Sequence, residues 1–329
     1  MTRIGIIGAG SWGIALAILL EKNGHQVTVW SALADEIDSL QKTREHTAIP
    51  GVRIKEEIVL TTVLTDAVNE MDVVVIAVAS PYVRTCAAKL RDIISKDTII
   101  VNVAKGIEEG SLMTMSQVIA DELPSVRIAV LSGPSHAEEV GRSIPTTIVV
   151  GADDDETAEF LQNIFMNEVF RVYRNRDVMG IELGAALKNV VALAAGICDG
   201  QGYGDNSKAA LITRGITEIA RLGVAMGGNT ATFYGLSGIG DLIVTCASHH
   251  SRNRRAGILI GKGAKMEAAM AEVEMVVEGV YSAKSGLALA KKHGVSVPII
   301  EQVNEVLFAG KEPSAAIREL MIRERKEEY

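Results

Sequence analysis

The chain opens with a short apolar strand that runs directly into G-x-G-x-x-G and then into a helix. The strand covers residues 3–7, the glycines are Gly8, Gly10 and Gly13, and residues 14–20 form an unbroken apolar run. In such a turn the first glycine permits the tight bend, the second lets the backbone approach a pyrophosphate, and the third lets the helix pack against the strand. The helix N-terminus presents unpaired N–H groups to the phosphates. This beginning predicts a dinucleotide-binding domain.

The residue after the second strand bears on which dinucleotide is bound. An acidic residue about 20 residues past the glycines would bind the ribose hydroxyls of NAD, but Ser31 follows the strand at residues 26–30. Asp35 and Glu36 come later and are expected to begin the next helix, and no Arg stands nearby to meet the 2′-phosphate of NADP. The sequence therefore predicts a nicotinamide cofactor with Ser31 near its ribose, and leaves NAD and NADP open.

Composition limits the class of protein. At 329 residues the chain is long enough for two domains. The three cysteines, Cys86, Cys198 and Cys246, form no C-x-x-C, which favours a reducing compartment, and we expect the cytoplasm. A net charge of −8 disfavours nucleic acid as a partner, and the absence of about 18 uninterrupted apolar residues disfavours membrane insertion. We expect no metal site.

The pattern of strands and helices changes near Asp177. Before it, short β-branched runs alternate with helical patterns, which indicates an α/β fold with a Rossmann-type parallel sheet over residues 1–177. After it, the pattern predicts an all-α domain over residues 178–329, with a helix at 179–198 that is buried nearly all round and a solvent-exposed helix end at 318–329. Beyond the first two strands, the predicted strands are residues 58–61, 72–78, 98–103, 127–131 and 146–151.

Residues that could bind a ligand or take part in catalysis follow three of these strands. They are Ser80 with Pro81, Lys105 with Gly106, and the segment Gly133-Pro134-Ser135. Ligands in open α/β sheets bind beyond the carboxyl ends of the strands, so Lys105 and the 133–135 segment are candidates for substrate contact. The alternative is that Lys105 is an ordinary surface charge and that residues 133–135 form an ordinary turn.

Lys188 is the strongest catalytic candidate in the second half of the chain. It lies in the middle of an apolar helix, one turn from the small residues Gly184 and Ala192, which leave room for a ligand. Desolvation lowers a lysine pKa, and such a group can exchange a proton with a substrate oxygen near neutral pH. The alternative is a structural lysine that reaches the edge of the domain or pairs with Glu182.

The glycine-rich segment 235–240 is followed by Asp241 and then by Thr245, with apolar residues between them. A buried carboxylate requires a cation, and Lys188 is the expected partner. A helix cap is the alternative role for Asp241. Just beyond it, residues 251–255 read SRNRR, a cluster of donors suited to phosphate oxygens. A solvated basic loop is the alternative there, and the lack of interleaved aromatic residues disfavours a nucleic-acid patch.

Seven segments together resemble the bacterial NAD(P)-dependent glycerol-3-phosphate dehydrogenases. They are GAGSWG (8–13), AKGIE (104–108), LSGPSHAE (131–138), ELGAALKN (182–189), GIGDL (238–242) with TC (245–246), SRN (251–253) and VEG (277–279). The resemblance runs from the first strand to about Glu278. It departs from the family at residues 31–33, where many members carry one or two arginines for the 2′-phosphate.

The resemblance implies roles for residues along both halves. Lys188 would be the general acid/base, with Asp241 and Lys105 as further catalytic groups. Substrate contacts would come from Lys105, Gly133, Ser135, Lys188, Asn189, Asp241, Thr245, Ser251, Arg252 and Asn253. Cofactor contacts would come from Gly8, Gly10, Ser11, Trp12, Gly13, Ser31, Lys105, Ala137, Arg252, Val276 and Glu278.

The reaction that the resemblance implies is reversible hydride transfer between the nicotinamide of NAD or NADP and dihydroxyacetone phosphate. Its product, sn-glycerol 3-phosphate, would supply glycerophospholipid backbones. Two alternatives remain: another β-hydroxyacid dehydrogenase, which shares the two-domain plan, and a non-catalytic dinucleotide sensor. The sequence also leaves the oligomeric state open, with a homodimer as one outcome.

Overall fold

A single eight-stranded sheet organises the first half of the chain. This computed structural model describes residues 1–325 and 327–328. The strands are β1 (Arg3–Ile7), β2 (Gln26–Trp30), β3 (Val59–Thr61), β4 (Val73–Ile76), β5 (Ile99–Asn102), β6 (Arg127–Ser132), β7 (Thr146–Ala152) and β8 (Phe170–Asn175). Their spatial order is β3-β2-β1-β4-β5-β6-β7-β8. Central strands such as β4, with the sequence VVVI, are buried on both faces, as parallel strands covered by helices should be.

The direction of the last two strands differs from the rest. The strands from β3 to β6 run parallel to one another, whereas β7 pairs antiparallel with β6, and β8 runs parallel to β7. The α/β fold class is therefore confirmed, with two strands reversed at one edge. A short apolar run does not encode strand direction, so this reversal could not be predicted from the pattern.

The edge strand β8 was absent from the predicted strands. Phe170 and Val172 are buried, while Arg171, Tyr173 and Arg174 between and after them are exposed. Charged side chains on an edge strand prevent pairing with another chain, but they also break the apolar run by which a strand is recognised.

Helices cover the sheet and link its strands. They are α1 (Ser11–Lys22), α2 (Ala34–Thr43), α3 (Val83–Leu90), α4 (Met115–Glu122), α5 (Ala137–Gly141) and α6 (Asp155–Phe165). The helix α1 buries every residue from Gly13 to Leu20, because its apolar side chains continue into the core formed by the inner strands. The helix therefore begins at the glycine turn and is fixed along its length.

From Val178 onward the described residues contain only helices. They are α7 (Val178–Gly200), α8 (Asp205–Ala225), α9 (Thr230–Phe233), α10 (Asp241–Ala247), α11 (Arg252–Gly261), α12 (Met266–Val273), α13 (Glu278–His293), α14 (Pro298–Phe308) and α15 (Pro313–Met321). A π-helical turn at Leu236–Gly240 precedes α10. The predicted helix end at 318–329 is wrong in extent, because α15 ends at Met321; Lys326 and Tyr329 lie outside the described residues.

The chain divides into two compact units. One comprises Met1–Glu108 and Met113–Glu182, and the other comprises Glu109–Leu112 and Leu183–Tyr329. The division falls inside α7: its residues up to Glu182 belong to the first unit and those from Leu183 belong to the second. The assignment of a cofactor domain to residues 1–177 and a substrate domain to 178–329 stays a prediction.

One helix among the described residues, α7, is long and apolar enough to cross a membrane by length and composition. All of its most apolar 18-residue window is buried within the fold. The core helix of a folded domain has the same composition, and burial on every side favours that interpretation.

Candidate active site

The glycine turn after β1 has the geometry that a dinucleotide needs. Gly8 has a φ of +118°, and a Cβ there would lie 2.8 Å from the carbonyl oxygen of Ala77. A Cβ on Gly13 would lie 2.0 Å from the carbonyl oxygen of Gly8, so the turn is closed tightly against α1. A Cβ on Gly10 would meet nothing within 4 Å. The open space above Gly10, at the start of α1, fits a pyrophosphate group.

The end of β2 lies beside this turn. The backbone N–H of Gly8 donates to the carbonyl of Trp30 at 2.8 Å, so Ser31 directly adjoins the glycines. Ser31 is buried, and its hydroxyl donates to a carboxylate oxygen of Glu36 at 2.6 Å. Asp35 and Glu36 lie in the first turn of α2, which confirms the prediction that they begin that helix.

Beyond the ends of β5 and β6, two side chains meet at one carbonyl. The Lys105 ammonium donates to the carbonyl oxygen of Gly133 at 3.1 Å, and the Ser135 hydroxyl donates to the same oxygen at 3.0 Å. Gly133 has a φ of +141°, a backbone conformation that favours glycine. Because β5 and β6 are parallel neighbours, the predicted residues of these two strand ends come together, and Ala137 follows as the first residue of α5.

A buried pair, Asn102 and Glu182, supports this edge of the sheet and was not predicted. Asn102 ends β5; its amide donates to a Glu182 carboxylate oxygen at 2.8 Å, and its side-chain oxygen accepts from the backbone N–H of Ala104 at 3.0 Å. Glu182 also accepts from the backbone N–H of Ser116 at 2.9 Å. Burial raises the pKa of Glu182. The signal in the sequence was an asparagine at the end of an otherwise apolar strand.

In the second unit, Lys188 forms a buried ion pair with Asp241. The Lys188 side chain is 7 % exposed and its ammonium lies 2.5 Å from an Asp241 carboxylate oxygen. The ammonium also donates to the Thr245 hydroxyl at 2.6 Å, one turn further along α10. The pairing of Lys188 with Asp241 is confirmed. The alternative pairing with Glu182 is wrong, because Glu182 bonds Asn102 and Ser116 instead.

Two consecutive amide hydrogen bonds join three helices of this unit next to Lys188. The Asn253 amide of α11 donates to the side-chain oxygen of Asn189 on α7 at 3.0 Å. The backbone N–H of Gly279 on α13 donates to the Asn253 side-chain oxygen at 2.8 Å. Asn189 follows Lys188 directly, so the start of α11 is fixed beside the helix that carries the lysine. Glu278, the first residue of α13, is buried next to these hydrogen bonds. Val276 precedes the helix and is half-buried.

The three arginines of the basic cluster have different surroundings: Arg254 is paired with an acid, Arg255 is exposed and Arg252 is half-buried. Arg254 is buried, and both its Nε and one terminal nitrogen lie 2.7 Å from the Asp199 carboxylate. Ser251 is the N-cap of α11 and accepts from the backbone N–H of Arg254 at 3.2 Å. Arg252 is half-buried and forms no hydrogen bond or ion pair with any residue that the structure describes. Its guanidinium is therefore the more available donor fork for a phosphate.

Each unit thus assembles part of the predicted site. In the first, the glycines with Ser11, Trp12 and Ser31 form one group, and Lys105, Gly133 and Ser135 form another. In the second, Lys188, Asp241 and Thr245 are in contact, with Asn189 and Asn253 bonded alongside. Over the described range of residues, no group of three His, Cys, Asp or Glu side chains is arranged to hold a metal ion.

Two family profiles match this chain. The profile described as NAD-dependent glycerol-3-phosphate dehydrogenase N-terminus matches residues 3–158. The profile described as NAD-dependent glycerol-3-phosphate dehydrogenase C-terminus matches residues 177–318. The two matches together span nearly the whole chain and include every residue of the predicted site.

Similar full-length proteins carry the same description. The glycerol-3-phosphate dehydrogenase (NAD(P)+) of Fusobacterium nucleatum is 58% identical over 329 residues, covering 99% of this chain and 98% of that protein. The protein of that name from Agathobacter rectalis is 56% identical over 330 residues, covering 100% of this chain and 98% of its own length. The crystal structure of glycerol-3-phosphate dehydrogenase (gpsA) from Coxiella burnetii has a TM-score of 0.94 at 36% identity, covering 98% of this chain and 99% of that one.

Proposed function

The chain belongs to the NAD-dependent glycerol-3-phosphate dehydrogenase family, and we propose that Lys188 is its general acid/base and Arg252 its main phosphate-binding residue. The chain is an oxidoreductase that interconverts dihydroxyacetone phosphate and sn-glycerol 3-phosphate with NAD or NADP. The hydride for C2 of the substrate would be supplied by the bound nicotinamide.

The single observation that carries the role of Lys188 is its buried ion pair with Asp241. As the substrate carbonyl is reduced, negative charge develops on its oxygen, and an ammonium beside that oxygen stabilises the charge and then donates a proton. The Asp241 carboxylate and the Thr245 hydroxyl, at 2.5 and 2.6 Å, hold the ammonium in one position. Asp241 is therefore a positioning residue, whose carboxylate offsets the cost of burying the Lys188 ammonium.

Arg252 binds the phosphate of the substrate in this proposal. Its planar guanidinium offers paired donors to two phosphate oxygens, and Ser251 and Asn253 flank it on the same helix start. Arg254 is not assigned this role, because it is buried and its guanidinium is held by Asp199, which also pairs with Lys208. Binding of the phosphate, which takes no part in the hydride transfer, orients the substrate for the chemical step. Lys105, Gly133 and Ser135 are further proposed substrate contacts.

The remaining assignments follow from the family and the sequence. The glycine turn, with Ser11, Trp12 and Ser31, binds the cofactor, and Ala137, Val276 and Glu278 add contacts. The chain acts in the cytoplasm without nucleic-acid or membrane partners, and its product supplies glycerophospholipid backbones. A homodimer is the assembly to test first, by analytical ultracentrifugation.

The test of this function is the oxidation of NADH and NADPH with dihydroxyacetone phosphate as the substrate. We expect turnover by the wild type and a fall in kcat of about 10²- to 10⁴-fold in Lys188→Met, the range typical of a lost general acid. Binding of the dinucleotide should be unchanged in that variant. Lys284→Met is the matched control, because Lys284 is a half-exposed lysine of the same unit.

Two outcomes would contradict the proposal. Near-normal turnover by Lys188→Met would remove Lys188 from the acid/base role. Binding of a dinucleotide without turnover of dihydroxyacetone phosphate, glycerol 3-phosphate or other hydroxy acids would favour a sensor instead.

A further inference from the structure

A carboxylate lies next to the glycine turn, on the helix that follows β2. The backbone N–H of Gly8 donates to the Trp30 carbonyl at 2.8 Å, which places Ser31 beside the turn. The Ser31 hydroxyl donates to Glu36 at 2.6 Å. The acid that usually follows this strand in NAD-binding domains is missing, and Ser31 stands in its position. An acid five residues later, Glu36 in the first turn of α2, is hydrogen-bonded to Ser31.

The orientation of Glu36 is fixed by this contact. The Ser31 hydroxyl accepts a hydrogen bond from the backbone N–H of Leu33 at 3.2 Å and donates one to Glu36. It is therefore held both as an acceptor and as a donor. Ser31 is 5% exposed and Glu36 is only half-buried. One carboxylate oxygen is therefore anchored, while the side chain retains access to a ligand.

The charge of Glu36 is not cancelled by its surroundings. Throughout the described residues it forms no ion pair, and the arginine nearest to it in sequence, Arg44, is bound by Glu56 at 3.0 Å. His46 lies within electrostatic range, but burial lowers the pKa of His46, an effect that the Glu36 carboxylate partly opposes. His46 therefore adds little positive charge beside Glu36 at pH 7.

The two cofactors differ at the 2′ position of the adenosine ribose, which carries a hydroxyl in NAD and a phosphate in NADP. A carboxylate accepts a hydrogen bond from the hydroxyl and repels the phosphate. We propose that Glu36, oriented by Ser31, reads this 2′ position and makes the chain prefer NAD(H) to NADP(H). This specificity rests on the proposed function, because it requires that the glycine turn hold the dinucleotide.

The test measures dissociation constants of NADH and NADPH for the whole protein by the fluorescence of the reduced nicotinamide. We expect the wild type to bind NADH more tightly, by about 10- to 100-fold, the range of one hydrogen bond to a charged group. Glu36→Gln keeps the shape of the side chain and removes its charge. The variant should bind NADPH more tightly and NADH more weakly, so that the two constants become nearly equal.

Two further variants separate positioning from charge. Ser31→Ala should shift the ratio of the two constants in the same direction but less, since Glu36 keeps its charge and loses its anchor. Asp38→Asn makes the same change of net charge at an exposed position of α2 and should leave the ratio unchanged.

The outcomes distinguish this inference from the function on which it rests. Equal affinity of the wild type for both dinucleotides would overturn the preference, and an unchanged ratio in Glu36→Gln would overturn the role of Glu36. In both cases the dehydrogenase function would stand. Failure of the wild type to bind either dinucleotide would instead contradict the cofactor site itself.

Discussion

Gly196 of α7 and Gly257 of α11 lie so close together that a Cβ added to either would be 2.9 Å from the Cα of the other. One turn further on, Gly200 and Gly261 face each other in the same way. The two backbones therefore meet without intervening side chains. This crossing brings the start of α11 alongside α7 and allows Asn253 to reach Asn189.

A methyl group at this crossing should disrupt it. In Gly257→Ala the new Cβ would lie 2.2 Å from the carbonyl oxygen of Leu193, so the backbone must move. We expect the free energy of unfolding to fall by about 1–3 kcal/mol, as for an overpacked core, and the KM for dihydroxyacetone phosphate to rise. Urea denaturation and steady-state kinetics measure both. Gly204→Ser is the control, because a Cβ there meets nothing within 4 Å; an equal loss in both variants would count against the crossing.

Asp241→Asn tests the ion pair from its acidic side. The variant leaves the Lys188 ammonium buried without a counter-charge, and we expect a loss of about 3–5 kcal/mol in the free energy of unfolding together with a lower kcat. The double variant Lys188→Met/Asp241→Asn removes both charges. It should be more stable than Asp241→Asn alone, as measured in a double-mutant cycle. Strictly additive losses would mean that the two groups are not coupled in solution.

Arg252→Lys and Arg254→Lys should affect different properties: the first should lower kcat/KM and the second should lower stability. Arg252→Lys keeps the charge and removes the donor fork, so kcat/KM for dihydroxyacetone phosphate should fall by about 10- to 100-fold with little change in stability. Activity toward unphosphorylated dihydroxyacetone should change much less. Arg254→Lys should mainly lower stability, because Arg254 holds Asp199 through two nitrogens. Equal losses for both substrates in Arg252→Lys would assign that residue to the cofactor or the fold.

Glu218 should make stability depend on pH. Its two carboxylate oxygens accept from the backbone N–H of Ile299 at 2.8 and 3.0 Å, at the start of α14. Burial raises the pKa of Glu218 from 4.5 to about 7. The folded state therefore binds a proton more tightly than the unfolded state, so this contribution is complete below pH 4.5 and is lost as the pH rises through 7.

The measurement compares the wild type with Glu218→Gln by urea denaturation at a series of pH values. The stability of the wild type relative to the variant should fall by about 3 kcal/mol between pH 4.5 and 7. Parallel pH profiles for the two proteins would show that Glu218 ionises in the folded state as it does in the unfolded chain.

The parts of the fold that were predictable are those in which local sequence determines local structure. The glycine turn, the buried strands β4 and β5 and the apolar helix α7 all carry patterns that depend on a few neighbouring residues. The antiparallel β7 and the edge strand β8 depend on pairing between distant segments and on solvent exposure, which a local pattern does not record.

The same distinction applies to the site. The pairing of Lys188 with Asp241 was predictable because a buried charge needs a partner and few candidates exist. The neutralisation of Arg254 by Asp199 was not, since both residues look like surface charges in the sequence. Glu36 was identified as a helix-starting residue, and only its contact with Ser31 relates it to the cofactor turn.

The burial of α7 has a consequence for the chain during its synthesis on the ribosome. Its covering residues include Gly215 of α8, which lies against Val191, and Gly286 of α13, which lies against Leu187, and both helices come later in the chain. The first residues of α7 pack on strands made before it, since Ile181 clusters with Val130 and Val149, but the apolar residues beyond Glu182 lack α8 and α13 until those helices emerge. We therefore expect this part of α7 to be exposed to chaperones, or to aggregation, until α8 and α13 have been made.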